Sequence, residues 1–203
     1  MSLTRLPLLR ATIPKVLLSD AFNRADSALT LGNAETGQAW TATAGTWGVS
    51  SSQAYSSTDA NEDRAILTVG VLNMRVSCSL SGSHDGVNSR QPALMARYVD
   101  ANNFLTLIQG PAQLRLFKCE GGVFTSIANV ARTPADGVAY RAELVLVNDR
   151  VDALINGALQ FSYALSAAEM TVFGASTTIG LRLAKTGAPA VNARFDTLMV
   201  TTP

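Results

Sequence analysis

The sequence predicts an all-β chain: a two-sheet antiparallel jelly-roll sandwich preceded by an extended N-terminal arm. Three observations carry that expectation. Apolar and polar residues alternate with period two along much of the chain, whereas helical spacing of apolar residues is nearly absent. Turn-forming residues recur roughly every eight to twelve positions, the rhythm of a sandwich or barrel. The composition is that of a folded domain: 203 residues, 47% hydrophobic and 15% charged, which suffices to bury one large core without disulfides or metals.

The elements follow in order. Residues 1–18 are rich in leucine but interrupted by Pro7 and Pro14, which exclude a continuous helix or central strand. The unbroken apolar stretch of a signal peptide is missing, so the segment reads as part of the mature protein. Its apolar side chains Leu3, Leu6, Leu8, Leu9 and Ile13 need cover, either on their own sandwich or on a neighbouring subunit. The division expected is therefore a docking arm over 1–18 and a sandwich over 19–203.

Strands are expected near 16–22, 47–49, 54–57 and 65–69, and at 74–80, which alternates cleanly. Asp100 to Asn103 joins a strand at 94–99 to one at 104–109, and Gly121-Gly122 joins 114–119 to 123–130. Three consecutive strands follow at 140–147, 151–155 and 158–163; the last two meet at Asn156-Gly157, a pair suited to a type I′ turn. Ser166 and Glu169 form a capping box that opens a short helical turn. Strands near 178–184 and 193–200 close the chain. About a dozen strands suit a two-sheet jelly roll better than a small sandwich.

Several function classes are excluded by composition. The net charge is +1 and no basic cluster occurs, so the footprint of a nucleic-acid binder is missing. No apolar run is long enough for a membrane-spanning helix. Cys78 and Cys119 sit inside alternating runs and read as buried free thiols, with a disulfide open only to adjacent strands. A single histidine, His84, stands in a turn-rich stretch and reads as a loop residue. No Gly-x-Ser-x-Gly elbow and no phosphate-binding glycine loop is present. A glycosidase needs two carboxylates flanking one bond, yet no Glu-x-Asp-x-Glu run occurs. Asp59, Glu62 and Asp63 cluster, but in a segment that reads as a solvated loop. No enzymatic activity is expected.

One set of motifs is more specific. Ser19-Asp20-Ala21-Phe22-Asn23-Arg24-Ala25-Asp26-Ser27, then Leu31-Gly32, Thr36-Gly37-Gln38-Ala39-Trp40 and Gly45-Thr46-Trp47-Gly48-Val49, resemble the opening of a family of phage virion domains. Residues 96–105, Ile155-Asn156-Gly157 and 194–200 are similar as well, so the resemblance spans 19–200. These domains have a concanavalin A-like (laminin G-like) jelly roll and recur in minor tail proteins of phages of actinobacteria. The resemblance implies a non-enzymatic virion structural protein, at the tail tip, with adhesion to host cell-surface glycans. Capsid decoration and a free-standing carbohydrate-binding module are the alternatives. The implied partners are other virion proteins, reached through the arm, and further copies of the chain.

Site residues follow from that picture. Trp47, Tyr55 and Tyr98 are the candidate glycan platforms, although each also suits a core position. The resemblance further implies calcium, held by oxygen ligands. Asp20 and Asp196 come together if the terminal strands pair, with Asp26 and Asn23 near; turn hydrogen bonds are the competing role for Asp20 and Asp26.

Overall fold

The computed structural model describes residues 13–58, 62–84, 89–187 and 192–203. In chain order the described strands are β1 (Val16–Asp20), β2 (Thr41–Ala44), β3 (Trp47–Ser50), β4 (Gln53–Ser56), β5 (Glu62–Thr68), β6 (Met74–Ser81), β7 (Ser83–His84) and β8 (Ser89–Asp100). They continue with β9 (Asn103–Gln109), β10 (Gln113–Glu120), β11 (Val123–Ala131), β12 (Tyr140–Val147), β13 (Arg150–Ile155) and β14 (Ala158–Ala164). Helix α1 (Ala167–Phe173) precedes β15 (Thr178–Thr186) and β16 (Arg194–Thr201).

Two antiparallel sheets result. The first has the order β14-β13-β12-β6-β16-β4-β3, with β1 also on β16; the second runs β11-β10-β9-β8-β15-β5-β2, with β7 on β8. The hairpin runs β8 to β11 and β12 to β14 each build one half of a sheet. The chain changes sheets at β1–β2, β2–β3, β4–β5, β5–β6, β6–β7, β11–β12, around α1 and at β15–β16, and this repeated crossing makes the sandwich a jelly roll.

Local chemistry explains the joints. Asn156 and Gly157 have φ of 50° and 80°, the two positive values a type I′ turn requires. Helix α1 starts with the expected capping box: the Ser166 hydroxyl accepts from the Glu169 amide at 3.3 Å, and the Glu169 carboxylate accepts from the Ser166 amide at 2.8 Å. That carboxylate also meets Lys118 of β10 at 3.0 Å, tying the helix to the second sheet. Gly48 is required by close approach, since a Cβ there would lie 2.1 Å from the Ser27 carbonyl oxygen.

The core lies between the sheets. Leu18, Val76, Leu80, Leu144, Leu146, Phe195 and Val200 come from the first, and Leu67, Leu94, Leu105, Leu107, Leu116, Leu181 and Leu183 from the second. Alternation along each strand delivers these residues to one face. Cys78 and Cys119 are both free and buried, one in each sheet. Burial pushes the Cys78 thiol up from its ordinary pKa.

Some expectations change. The sandwich begins before residue 19, because Val16 to Asp20 pair with β16 and the Thr202 amide donates to the Lys15 carbonyl at 2.9 Å. Leu18 is therefore core rather than arm. Leu3, Leu6, Leu8 and Leu9 lie outside the described residues, and Ile13 is 92% exposed. Ser83 and His84 form a short strand on β8 rather than a loop. The acidic segment is not a solvated loop at its end: Glu62 and Asp63 open β5, and Asp63 is fully buried. Asp59 lies outside the described residues.

Arg97 holds the helix end against the second sheet. It is 2% exposed and sits at φ 52°, in a break of the β8–β9 register. Its Nη1 donates to the carbonyls of Gly174 and Ser176 at 2.9 and 3.2 Å, and its Nη2 donates to that of Asn148 at 3.3 Å. Burial lowers its pKa, and the carbonyls left over at the C-terminal end of α1 supply the compensating negative potential. Arg97→Met strips three carbonyls of a charged donor and is expected to cost about 3 kcal/mol. Urea unfolding followed by tryptophan fluorescence checks this; an unchanged midpoint would show that Arg97 only fills space.

Candidate functional site

The outer face of the second sheet is where chemistry-bearing residues gather. The register places Arg64, Arg182, Ala93, Ile108, Arg115 and Asn129 in one row across six strands. The next row is Ile66, Gly180, Met95, Thr106, Phe117 and Ser126, and Phe104, Cys119 and Phe124 lie beyond it.

Long side chains cross this face. The Arg182 guanidinium lies 4.8 Å from the centre of the Phe124 ring, although β15 and β11 are four strand spacings apart. Those spacings amount to roughly 19 Å along a flat sheet, and on a convex face the two side chains would diverge. The contact therefore marks the face as concave. Arg64 reaches Phe104 in the same way at 5.5 Å and donates to the Ala101 carbonyl at 3.1 Å. Arg115 stacks on Phe117 at 5.3 Å. Under this cover Ala93, Met95, Phe104 and Thr106 are fully buried, although they point away from the main core.

Charge on the face is one-sided. Glu62 is the one acid that the register places there among the described residues, and it is shared between Arg64 at 2.8 Å and Arg182 at 3.1 Å. Four polar atoms, the Nε of Arg64, Arg115 and Arg182 and the hydroxyl of Thr106, are buried without a hydrogen-bond partner. Buried polar groups in this state call for an explanation, and four of them share this one face. A lone carboxylate held by two arginines does not supply the acid and nucleophile pair of a glycosidase.

A second recess opens between the sheets at one end of the sandwich. It measures about 320 Å³ and is lined by Tyr55, Ser56, Ser57, Thr58, Arg90 and Asn192. Arg194 lies 4.7 Å over the Tyr55 ring. Beneath the recess, Asp63 accepts from the hydroxyls of Ser56 at 2.5 Å and Thr58 at 3.2 Å. Burial raises the Asp63 pKa, against the lowering effect of those hydroxyls and of Arg90.

The candidates named from sequence are dispersed. Tyr55 is half-buried in the end recess. Trp47 is corrected to a core residue: it is 1% exposed, packs on Phe195 with ring centres 5.4 Å apart, and its indole donates to the Ala44 carbonyl. Tyr98 is likewise 7% exposed and stacked on Phe104. Each ring is packed against an aromatic neighbour, and Tyr98 also lines a recess of about 370 Å³ with Val99, Val172 and Ser176.

The proposed calcium ligands do not fit the ion. The terminal strands do pair, but both oxygens of Asp20 are taken by donors. One accepts from the Phe22 amide at 2.8 Å and from Arg24, the other from the Trp40 indole at 2.7 Å. Asp26 accepts from the Ser51 amide at 3.0 Å and Asp196 from the Thr197 hydroxyl at 3.0 Å. Among the described residues no three His, Cys, Asp or Glu side chains converge. Asp20, Phe22, Arg24 and Trp40 thus form a structural clamp: Phe22 and Trp40 pack at 6.0 Å, and Arg24 also donates to the Leu31 carbonyl.

The two-sheet architecture with its concave second sheet defines a concanavalin A-like jelly roll. No family profile matches the chain, and no curated protein matches it. Solved structures do share its fold. The carbohydrate-binding module CBM66 of Bacillus subtilis is 17% identical over 80% of this chain and 95% of its own, with a TM-score of 0.66. SCLam, a non-specific endo-β-1,3(4)-glucanase of family GH16, is 12% identical over 97% and 94%, at 0.67. The CBM2 module of the evolved Dit of Lactobacillus casei BL23 phage J-1 is 10% identical over 93% and 95%, at 0.61.

Two expectations follow. Asp20→Asn should lower stability by roughly 2–3 kcal/mol, because a charged acceptor of three donors becomes neutral, while calcium or EGTA should leave the melting temperature of the parent protein unchanged. A calcium-dependent rise would restore the metal. For Asp63 the sign is set by its raised pKa: the folded state takes up a proton more readily than the unfolded one, so stability is gained as pH falls through the folded value and lost as pH rises through it. Asp63→Asn should therefore be at least as stable as the parent at pH 7 and lose that advantage below the ordinary carboxylate range. Melting curves across pH read this directly, and a constant difference would refute it.

Proposed function

We propose that this chain is a non-enzymatic, glycan-binding jelly-roll module of a phage particle, carried at the tail and presented to the host envelope. The observation that carries the reading is the concave outer face, where three arginines, three phenylalanines and buried unpartnered polar atoms surround a single carboxylate. Aromatic faces with neighbouring donors suit sugar rings, which offer apolar C–H patches edged with hydroxyls. The glycosidase requirement of two carboxylates speaks for binding over hydrolysis.

Support for a particle at the tail comes from the resemblance across residues 19–200 to minor tail domains of actinobacterial phages. The Dit module adds that this fold is used in a phage protein described as carrying a carbohydrate-binding module. In this reading the leucine-rich segment ahead of β1 attaches the module to its particle and copies of the chain sit side by side, with Ile13 exposed just before β1.

The test has two readouts from one labelled protein. The purified chain should be retained on actinobacterial cell walls and released when their glycans are removed, with Phe117→Ala lowering retention about tenfold. Antibody to it should mark the tail of purified particles. Retention that ignores glycan removal would overturn adhesion, and label spread over the head would replace the tail with capsid decoration.

A further inference from the structure

We infer that the concave face selects acidic glycans, binding a carboxylate or phosphate carried on a sugar polymer through Arg115. This rests on the glycan-binding reading and specifies its ligand class.

The first argument is the local charge. The whole chain carries a net charge of only +1, yet this face sets three guanidinium groups against one carboxylate. Glu62 is divided between Arg64 and Arg182, so neither lends it to Arg115. Arg115 has no ion pair among the described residues, and its charge is answered only by the Phe117 ring. A concave face with low-dielectric walls focuses such a field on whatever enters it.

The second argument is how Arg115 is presented. A Cβ at Gly110 would lie 2.9 Å from Arg115 Nη2 and 3.5 Å from the Gln91 side-chain oxygen. The missing side chain of Gly110 thus leaves the space in which the guanidinium and the amide of Gln91 converge. Both residues are half-buried, and Asn129, directly opposite Arg115 on β11, is exposed. The forked donors of an arginine match the paired oxygens of a carboxylate or phosphate, and the Gln91 amide, whose Nε2 donates to the Ser89 hydroxyl at 2.7 Å, turns its oxygen to this space as an acceptor for a sugar hydroxyl.

The third argument is the support behind it. The Nε of Arg182, a residue 7% exposed, and the hydroxyl of fully buried Thr106 lie on the same face of the sheet without hydrogen-bond partners. Arg182 and Arg64 lie too deep for full contact with a polymer, so they contribute field, while the half-buried Phe117 and the 39%-exposed Phe124 supply apolar surface beside Arg115. A neutral sugar would leave this field unanswered.

The probes are polygalacturonate for carboxylate, polyglycerol phosphate for phosphate, and dextran as the neutral polymer, run by affinity electrophoresis of the full chain. The expected result is retardation by one or both acidic polymers and at least tenfold less by dextran. Raising salt from about 50 to 500 mM should weaken it about fivefold or more. Arg115→Ala should lose about tenfold, Arg115→Lys should recover part of it, and Arg150→Ala, an exposed cation on the other sheet, should lose nothing. Which acidic polymer binds names the source of the anion. Equal retardation by dextran, or a loss in Arg150→Ala equal to that in Arg115→Ala, overturns acid selection. If none of the three polymers binds while glycan-dependent wall retention persists, acid selection falls and the glycan-binding reading stands; if wall retention fails too, both fall.

Discussion

Strand β9 is dry on both faces, and the character of the second sheet follows from that. Leu105 and Leu107 enter the main core, while Phe104, Thr106 and Ile108 on the opposite side are buried as well. An outward face in the middle of a sheet would normally be wetted. Here arginines from β5 and β15 and phenylalanines from β10 and β11 reach across to cover it. The arginine stems add apolar cover, and their guanidinium groups lie over the Phe104 and Phe124 rings and against Glu62. The charged character of the concave face is thus a by-product of how its floor is kept from water.

The first sheet is organised by a different constraint, the closing of the chain ends. Asp20 gathers an amide, an indole and a guanidinium from the segment that follows β1, and β1 lies on β16. The Asp20, Phe22 and Arg24 positions carry much of the resemblance to phage domains, and each has a structural role here. The residues that carry the resemblance are therefore different from those on the concave face.

Local signals in the sequence made most of the architecture legible. Asn156-Gly157, Gly121-Gly122 and the Ser166–Glu169 capping box each specify geometry within four residues, and the structure has all three. The strands β2 and β7 escaped because four and two residues are too few to show a period. Burial of Asp63 was hidden for another reason: its partners Ser56 and Thr58 satisfy it, and a polar run reads as solvated whichever way its side chains point. The concave face was the least legible part. Arg64, Phe104, Arg115, Phe124 and Arg182 are dispersed over more than half the chain and meet only through strand order, which no local pattern encodes. One signal did exist. Phe104-Leu105-Thr106-Leu107-Ile108 is apolar at four of five positions and does not alternate, and such a run in an otherwise alternating protein marks a strand buried on both sides.

The pairing of β1 with β16 has an evolutionary corollary. Lys15 and Thr202 are hydrogen-bonded to one another, so the polypeptide enters and leaves the sandwich at a single point. A carrier protein can accept such a unit within a surface turn without its own flanking backbone being forced apart, and the closure entropy is small because the ends already touch. The sandwich is in this sense a cassette: its two ends meet at one seam, so joining it to other polypeptide takes only two short connections.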